Sequence, residues 1–354
     1  MVTIRDVADK AGVSIATVSR VTSGSNQVQE ETRKKVLRVI KELGYKPRPA
    51  SGSDKHLFRT IGVMVPDLRG YHYSDIITGV EQFCFNKGFD VMLSLARGFP
   101  EKEEEVLEEY FDRKVDGILV CTLHCSEKYM EPFVKSGIPV VAIDYRIDEV
   151  KVDSVNIDNV SGAHSATRYL YENGHRRILY IRGPENVYSS IDRERGLKKF
   201  LKSHRDSDIV LSKIQGFDPE HGYFSIRKHL KEKGVSFSSV FCVNDYVAMG
   251  AMKALMEAGL ELPADVSVIG FDDSPFAPYT YPPLTTIAQP RKEMGKVAAQ
   301  LLIERLSSSK YVVFRNIVLP TRLVVRKSVI PFSGICANGG GTPSGRIIHK
   351  SSRS

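Results

Sequence analysis

The chain has 354 residues, 42% of them hydrophobic and 26% charged, with a formal net charge of +8. These are ordinary values for a soluble globular protein of two or three domains, which excludes wholesale disorder, and no stretch approaches the roughly 18 consecutive apolar residues that a membrane span needs. The charge is unevenly placed: residues 1–60 hold twelve Lys and Arg against six Asp and Glu, the last twenty add Arg346, Lys350 and Arg353 with no acid, and 61–334 is left with −1. A basic head on a near-neutral body implies a polyanion partner for the head alone.

In chain order, Met1–Asp6 lacks the basic-then-apolar plan of a signal peptide, so a cytoplasmic location is expected. Thr3-Ile-Arg-Asp6 reads as a capping box that starts a first short helix, with Val7, Ala8 and Ala11 as its apolar face and Gly12 as its stop. Ser14 caps a second helix. A third is predicted from about Glu30 to Leu43, where Val36, Val39, Ile40 and Leu43 fall at helical spacing before Gly44. Two helices joined by so tight a Gly-containing turn and braced by a third form a helix-turn-helix unit. Residues 46–60 have linker composition.

Beyond residue 60, short apolar runs alternate with amphipathic segments. The predicted strands are Ile61–Val65, Phe89–Leu95, Gly117–Cys121, Pro139–Ile143, Arg177–Ile181, Ile209–Ile214, Val240–Val243 and Val266–Phe271. The predicted helices are Ser74–Lys87, Glu101–Arg113, Val160–Glu172, Pro219–Lys233 and Asp245–Ala258. Such alternation implies parallel sheets with helices on both faces, and the break near Asp158–Val160 favours two lobes. Tyr311–Ile317 and Leu323–Val329, on either side of Pro320, are expected to be strands that finish the lobes; from Pro331 the Gly- and Ser-rich composition predicts a disordered tail. The five cysteines (Cys84, Cys121, Cys125, Cys242 and Cys336) are odd in number and mostly in apolar runs, which fits free thiols in a reducing compartment. Cys121, His124 and Cys125 resemble half of a metal site, but no second pair completes four ligands, so no metal or cofactor is expected.

On the second helix, Val18 and Val21 share the side of Ser14, while Ile15, Ala16, Ser19 and Arg20 point away. An outward face of this kind suits base edges in the major groove. Arg20 can pair with guanine through both of its forks, Ile15 and Ala16 suit thymine methyls, and the hydroxyls of Thr17 and Ser19 suit phosphate.

The segments TIRDVADKAGVSIATVSRV and VQEETRKKVLRVIKELGY resemble the DNA-binding domain of the LacI/GalR family of bacterial transcription regulators. The body carries similar marks in order: TIGVMVPD at 60–67, NIDNVSGA at 156–163, GHRRILYIRG at 174–183, Arg193-Glu-Arg-Gly196, the long run 243–273, PPLTTIAQP at 282–290 and LPTRLVVRKS at 319–328. The resemblance implies an all-α head at 1–46, a hinge at 47–59, and a two-lobed α/β body like a periplasmic binding protein at 60–330. Lobe 1 would span about 60–160 and 291–320 and lobe 2 about 161–290 and 321–330, with crossovers near Ser161, Pro290 and Thr321 and the tail at 331–354. It also implies a homodimer, a near-palindromic operator, repression rather than catalysis, and a small-molecule effector, a carbohydrate, between the lobes. A purine-like or protein corepressor is the alternative; a sugar-transport protein would share the body but not the head.

The candidate DNA contacts are Thr3, Ser14, Ile15, Ala16, Thr17, Ser19, Arg20, Asn26 and Thr32. For the effector, the resemblance places Arg193, Asn244 and Asp272 at the family's ligand arginine, amide and carboxylate. It sets His72 and Tyr73 at a loop-to-helix contact and Phe217 at a stacking position, with core packing the competing reading for Phe217. An arginine fork, a carboxylate and an amide can satisfy several hydroxyls, and an aromatic face suits a sugar's C–H side or a flat base. Asp272 and Asp273 adjoin on a predicted strand and so point to opposite faces, which argues against a paired-carboxylate glycosidase.

The hinge departs from the family pattern Pro-Asn-x-x-Ala-Arg-x-Leu. After Pro47 this chain reads Arg48-Pro-Ala-Ser-Gly-Ser-Asp54, with an aspartate in the leucine's slot and Leu57 three positions late. Pro49 and Gly52 are poor helix residues, and an aspartate in the minor groove faces phosphate repulsion. Operator bending is therefore expected to be smaller than the family norm. A circular-permutation mobility assay checks this, and a sharp central kink would contradict it.

Overall fold

The computed structural model describes residues 4–22, 28–43, 59–122, 129–145, 150–307 and 313–332. Thr3, Asn26, the atypical hinge at 47–58, His124, Cys125, Cys336 and the chain from 333 lie outside the described residues. Two units divide near residue 57.

In the first unit, α1 (Ile4–Ala11), α2 (Ile15–Thr22) and α3 (Glu30–Leu43) close on a small valine-rich core. Val7, Ala8 and Ala11 meet Val18 and Val21 of the second helix and Val36 and Val39 of the third. Gly12, at φ +62°, supplies the left-handed turn that lets α2 start only four residues after α1 ends. Ser14 caps it, its Oγ accepting from the Thr17 N–H at 3.1 Å.

The second unit contains two parallel sheets. The strands of the first are β1 (Arg59–Val65), β2 (Phe89–Leu95), β3 (Gly117–Cys121), β4 (Val140–Ile143), β5 (Asp153–Ile157) and β11 (Asn316–Leu319), ordered β11-β5-β4-β3-β1-β2. The second holds β6 (Arg177–Ile181), β7 (Asp208–Leu211), β8 (Ser239–Cys242) and β9 (Ser267–Ile269), ordered β7-β6-β8-β9. A short antiparallel pair, β10 (Thr286–Ala288) and β12 (Arg322–Val324), joins the returning segments. Helices α4 (Tyr71–Asn86), α5 (Pro100–Asp112), α6 (Glu131–Lys135) and α11 (Arg291–Ser307) belong to lobe 1. Lobe 2 carries α7 (Asn159–Glu172), α8 (Tyr188–Lys202), α9 (Pro219–Lys233) and α10 (Asp245–Glu257).

Alternation along β1 shows why both faces need helices. Ile61, Val63 and Val65 pack with Ile76, Val80, Met294 and Ala298, while Met64 joins Leu107, Tyr110 and Phe133 on the other side. Helices α4 and α11 cross with their backbones in contact: a Cβ at Gly79 would lie 2.0 Å from the Lys292 oxygen, and one at Gly295 2.0 Å from that of Ile76. The chain passes between sheets at 158, at 289–290 and at 320–321. At the first passage the Asp158 carboxylate caps α7 by accepting from the Ser161 N–H at 2.8 Å.

Several expectations need correction. The sequence pattern does not predict helices α6, α8 and α11 or strands β5 and β10, and α4 starts three residues earlier than the pattern predicts. The apolar run from Tyr311 misplaces its strand: Val313 is 79% exposed, and the described ladder is Asn316–Leu319, where Ile317 and Leu319 pack on the core. The second late strand covers only Arg322–Val324; beyond it the Arg326 N–H donates to the Thr285 hydroxyl at 2.9 Å, outside the ladder, while its guanidinium pairs with Asp273 at 2.6 Å. The composition of the tail does not begin to act at Pro331. Phe332 is held by its N–H donating to the Asn173 carbonyl at 2.8 Å and by its ring against His175. Cys84, Cys121 and Cys242 are buried free thiols, and burial pushes the Cys121 thiol well up. Among the described residues no helix is long and apolar enough to cross a membrane.

His175 is buried between Ser238 and the Ile330 carbonyl, each 3.1 Å from a ring nitrogen, and burial pushes it down to about 4. The folded chain therefore binds fewer protons than the unfolded chain between the ordinary histidine value and about 4. Stability is lost as pH falls through that window, and this group alone accounts for about 2 kcal/mol at pH 5. His175→Gln removes that component. Urea midpoints at pH 7 and pH 5 should lie closer together in the variant than in the wild type; an equal drop in both would show that the ring's burial is not responsible.

Candidate functional site

Helix α2 turns its valines inward, as their spacing predicts. Val18 and Val21 are buried against α1 and α3, while Ile15, 42% exposed, and Arg20 face solvent. The Thr17 hydroxyl lies 2.9 Å from Ser14 Oγ and so joins the helix cap. Thr32 is half-buried in the first turn of α3, and Lys34 and Lys35 are exposed beyond it. The side chains of Ala16 and Ser19, like Thr3 and Asn26, lie outside the described residues.

In the body, a cavity of about 400 Å³ opens between the two sheets, and His72, Tyr73, Arg193, Phe217, Asn244 and Asp272 all line it. Parallel sheets place ligands beyond the carboxyl ends of their strands. Here Asp67 follows β1, Asp144 follows β4, Pro184 follows β6, Asn244 follows β8 and Asp272 follows β9.

Arg193 is 3% exposed and held on four sides. Its Nε donates to Asn159 Oδ1 at 2.8 Å and one terminal nitrogen to the Val243 carbonyl at 2.7 Å. The same nitrogen is 3.5 Å from Asp272 Oδ1, and the guanidinium carbon sits 3.8 Å from the centre of the Phe271 ring. Asp272 also accepts from Gln289 Nε2 at 2.5 Å. Asp272 faces the cleft and Asp273 faces Arg326, so the two carboxylates do diverge. They do so because both residues have positive φ, 120° and 54°, beyond the end of β9 rather than within a strand's pleat.

Asn244 is the N-cap of α10, its Oδ1 accepting from the Val247 N–H at 2.8 Å and its Nδ2 donating to the Phe217 carbonyl at 3.0 Å. It therefore shapes the wall, with one amide hydrogen left for a ligand. Phe217 fits both of its readings: it lines the cavity and packs on the lobe 2 core. His72 Nε2 lies 3.0 Å from Asp144 Oδ2, and burial followed by the charge of Asp144 raises the Tyr73 hydroxyl well above its ordinary range. Behind the floor, Asp245 accepts from the Thr286 hydroxyl at 2.5 Å and the Ser274 N–H at 2.7 Å. Burial and then Asp272 push its carboxyl up despite these donors.

Sequence reasoning missed Asp144, Asp67, Arg69, Gln215, Asp218, His221 and Tyr246. For Asp67 and Asp144 the signal was present, since a polar residue directly beyond an apolar parallel strand points at the cleft. At the mouth, Arg69 pairs with Asp67 at 3.2 Å and lies 4.0 Å from Asp218 of the opposite lobe. Arg193→Met should cost about 3–5 kcal/mol, because Asp272 is left as a buried charge without its guanidinium. Urea unfolding of the purified variant measures this, and a loss below about 1 kcal/mol would show that Asp272 does not depend on Arg193.

Comparison with known proteins bears on both parts. The model of bacterial regulatory proteins of the lacI family matches residues 3–48, and that of the periplasmic binding protein-like domain matches residues 167–329. The HTH-type transcriptional repressor PurR of Vibrio vulnificus (strain CMCP6) is 34% identical over 317 residues, 88% of this chain and 94% of that protein. A complex of the transcriptional regulator CelR with cellobiose is 31% identical, covers 93% of this chain and 100% of its own, and has a TM-score of 0.69. The lac repressor dimer bound to operator and the anti-inducer ONPF is 26% identical, covers 93% and 99%, and has a TM-score of 0.78. With its helix-turn-helix head and its two-lobed body of parallel sheets, the chain belongs to the lacI family of bacterial regulatory proteins, which are DNA-binding transcriptional regulators and not enzymes.

Proposed function

We propose that the protein is a homodimeric repressor whose affinity for a near-palindromic operator is set by a carbohydrate held in the interlobe cleft. The observation that carries the reading is the pair of carboxylates facing one cavity from opposite lobes, Asp144 and Asp272, with the Arg193 guanidinium beside the second. Two acceptors and a fork of donors match a molecule rich in hydroxyls, each of which both donates and accepts. Contact with both lobes gives such a ligand different affinities for different lobe arrangements, and the coupling to operator binding is then reciprocal. The cellobiose complex of CelR supports this ligand class.

A purine-like corepressor is the second reading. It is favoured by the aromatic face of Phe217 in the cavity and by the likeness to the repressor PurR. Dimer formation is supported by the edge strand β2, where Leu93 and Leu95 are exposed, and by the exposed Phe224, Met249 and Met256 on α9 and α10. Apolar groups on a sheet edge and on neighbouring helices are the usual material of an interface. The lac repressor structure is a dimer on its operator.

A thermal-shift screen with ribose, cellobiose, hypoxanthine and guanine tests the reading. A ligand at 100 times its Kd adds about 2.7 kcal/mol of stability. A carbohydrate is expected to raise Tm in the wild type and not in Asp272→Asn, while both proteins still retard operator DNA in a mobility assay. A shift produced by a purine alone would replace the carbohydrate reading with the second one. A shift that survives Asp272→Asn would remove the ligand from this cleft.

A further inference from the structure

A second concavity, of about 480 Å³, lies along α8 of lobe 2 and shares only Pro184 with the interlobe cleft. One wall is the segment Arg182–Glu185 that follows β6. The other is a face of α8 on which Ile191, Arg195, Lys198 and Lys202 recur at helical spacing beside Lys199. Five cations line it against two carboxylates, Glu185 and Glu194.

The pairing inside the groove leaves that excess in place. Glu194 is saturated by Arg182 Nε at 2.8 Å and Lys198 Nζ at 2.5 Å; burial pushes its carboxyl up, but these two cations hold it below the ordinary glutamate range. Arg195 turns to Asp192 at 2.7 Å. Among the described residues Lys199 and Lys202 have no carboxylate partner. Ser190, 4% exposed, lines the same groove, and its buried hydroxyl has no hydrogen-bond partner. A buried, unmade hydroxyl bond is costly, and an incoming acceptor oxygen recovers it.

We propose that this groove is a second ligand site that takes the phosphate of a small phosphomonoester. A phosphate dianion offers only acceptors, which match lysines without a carboxylate and a buried hydroxyl. Ile191 and Pro184 give its carbon skeleton an apolar flank. A phosphate of duplex DNA or of a large protein would meet the exposed lysines at the rim and not the buried hydroxyl. Pro184 of this segment also lines the interlobe cleft, and a Cβ on Gly183 beside it would meet both Ser190 Oγ and the Phe217 ring, so occupancy of the groove acts on the cleft through Gly183 and Pro184.

Isothermal titration of the full chain with glycerol 3-phosphate tests the site, with glycerol as the arm that lacks phosphate. Glycerol 3-phosphate is expected to bind the wild type and Asp272→Asn equally. It should bind at least tenfold more weakly to the double variant Lys199→Gln/Lys202→Gln and several-fold more weakly to Ser190→Ala, which changes no charge. Lys228→Gln/Lys231→Gln on α9 should have no effect, and glycerol should give no heat. The proposal is overturned by absent binding, by a loss confined to Asp272→Asn, by equal weakening in both lysine pairs, or by an unchanged Ser190→Ala. A phosphoserine peptide that binds where glycerol 3-phosphate does not would overturn it in favour of a protein partner.

Discussion

A guanidinium cannot shed its charge in a protein, so burying Arg193 obliges its surroundings to supply acceptors. Three elements answer: the start of α7 through Asn159, the end of β8 through the Val243 carbonyl, and the segment after β9 through Asp272. The ring of Phe271 closes the remaining face. The cleft floor is thus assembled around one cation, and the carboxylate that faces the cavity is also the one that neutralises it. On the carbohydrate reading proposed above, a hydroxyl entering between Asp272 and Arg193 exchanges part of an existing ion pair for its own hydrogen bonds. Affinity there is a difference between two well-satisfied states, and that difference makes such a site selective among hydroxyl patterns.

The presentation of Asp272 depends in turn on lobe 1. Arg291, at the start of α11, grips Asp75 of α4 with Nε at 3.0 Å and a terminal nitrogen at 2.9 Å, and it donates to the carbonyls of Asp272 and Asp273. Those carbonyls belong to the two residues with positive φ, a conformation that a non-glycine residue keeps only when its surroundings impose it. The helix that carries Arg291 is fixed to α4 by the backbone contact at Gly79 and Gly295. Motion of one lobe against the other must therefore carry this arginine with lobe 1 or break its bonds to lobe 2. Either outcome changes the backbone that aims the cleft carboxylate. The lining of the cleft and the contact between lobes meet in one short segment.

The same physics explains what the sequence made legible. Elements whose hydrophobic period was clean, such as α3, α9, β2 and β3, have the bounds that their apolar spacing predicts, because burial on one face or two leaves little choice of register. Helix α11 was missed although Lys292, Glu293, Lys296, Gln300 and Glu304 are exposed opposite a buried face, because that face is built largely from the small residues Gly295, Ala298 and Ala299 together with Arg291, and makes a weak apolar stripe. Strand β5 was missed because Asp153, Ser154 and Asn156 interrupt it. Asp153 is buried yet stable there, since Arg305 grips both of its oxygens at 2.7 and 2.8 Å across a sequence gap that no local pattern reveals. The cleft residues carried over from the family resemblance all line one cavity. The resemblance did not show that Asn244 also serves as a helix cap or that Thr17 is turned towards Ser14, because such roles depend on neighbours and not on residue type.

Charge, counted by segment, tells an incomplete story. The excess of six over residues 1–60 marks the reading head, whereas the −1 of residues 61–334 describes an average and not a surface. On α8, Arg193, Arg195, Lys198, Lys199 and Lys202 stand against only Asp192 and Glu194, an excess of three that the sum over the whole body conceals. In space the helix sends Lys198 and Lys202 with Arg195 to one side, while Asp192 and Glu194 are consumed by Arg195, Arg182 and Lys198. Lys199 and Lys202 are the remainder, and the field of Lys199 also helps to lower His164 after burial and Arg168 have done so. An interaction screened over about 8 Å at physiological salt responds to this local arrangement and not to the sum over a lobe. A body that is neutral overall can therefore stay off DNA and still concentrate a small anion at one place.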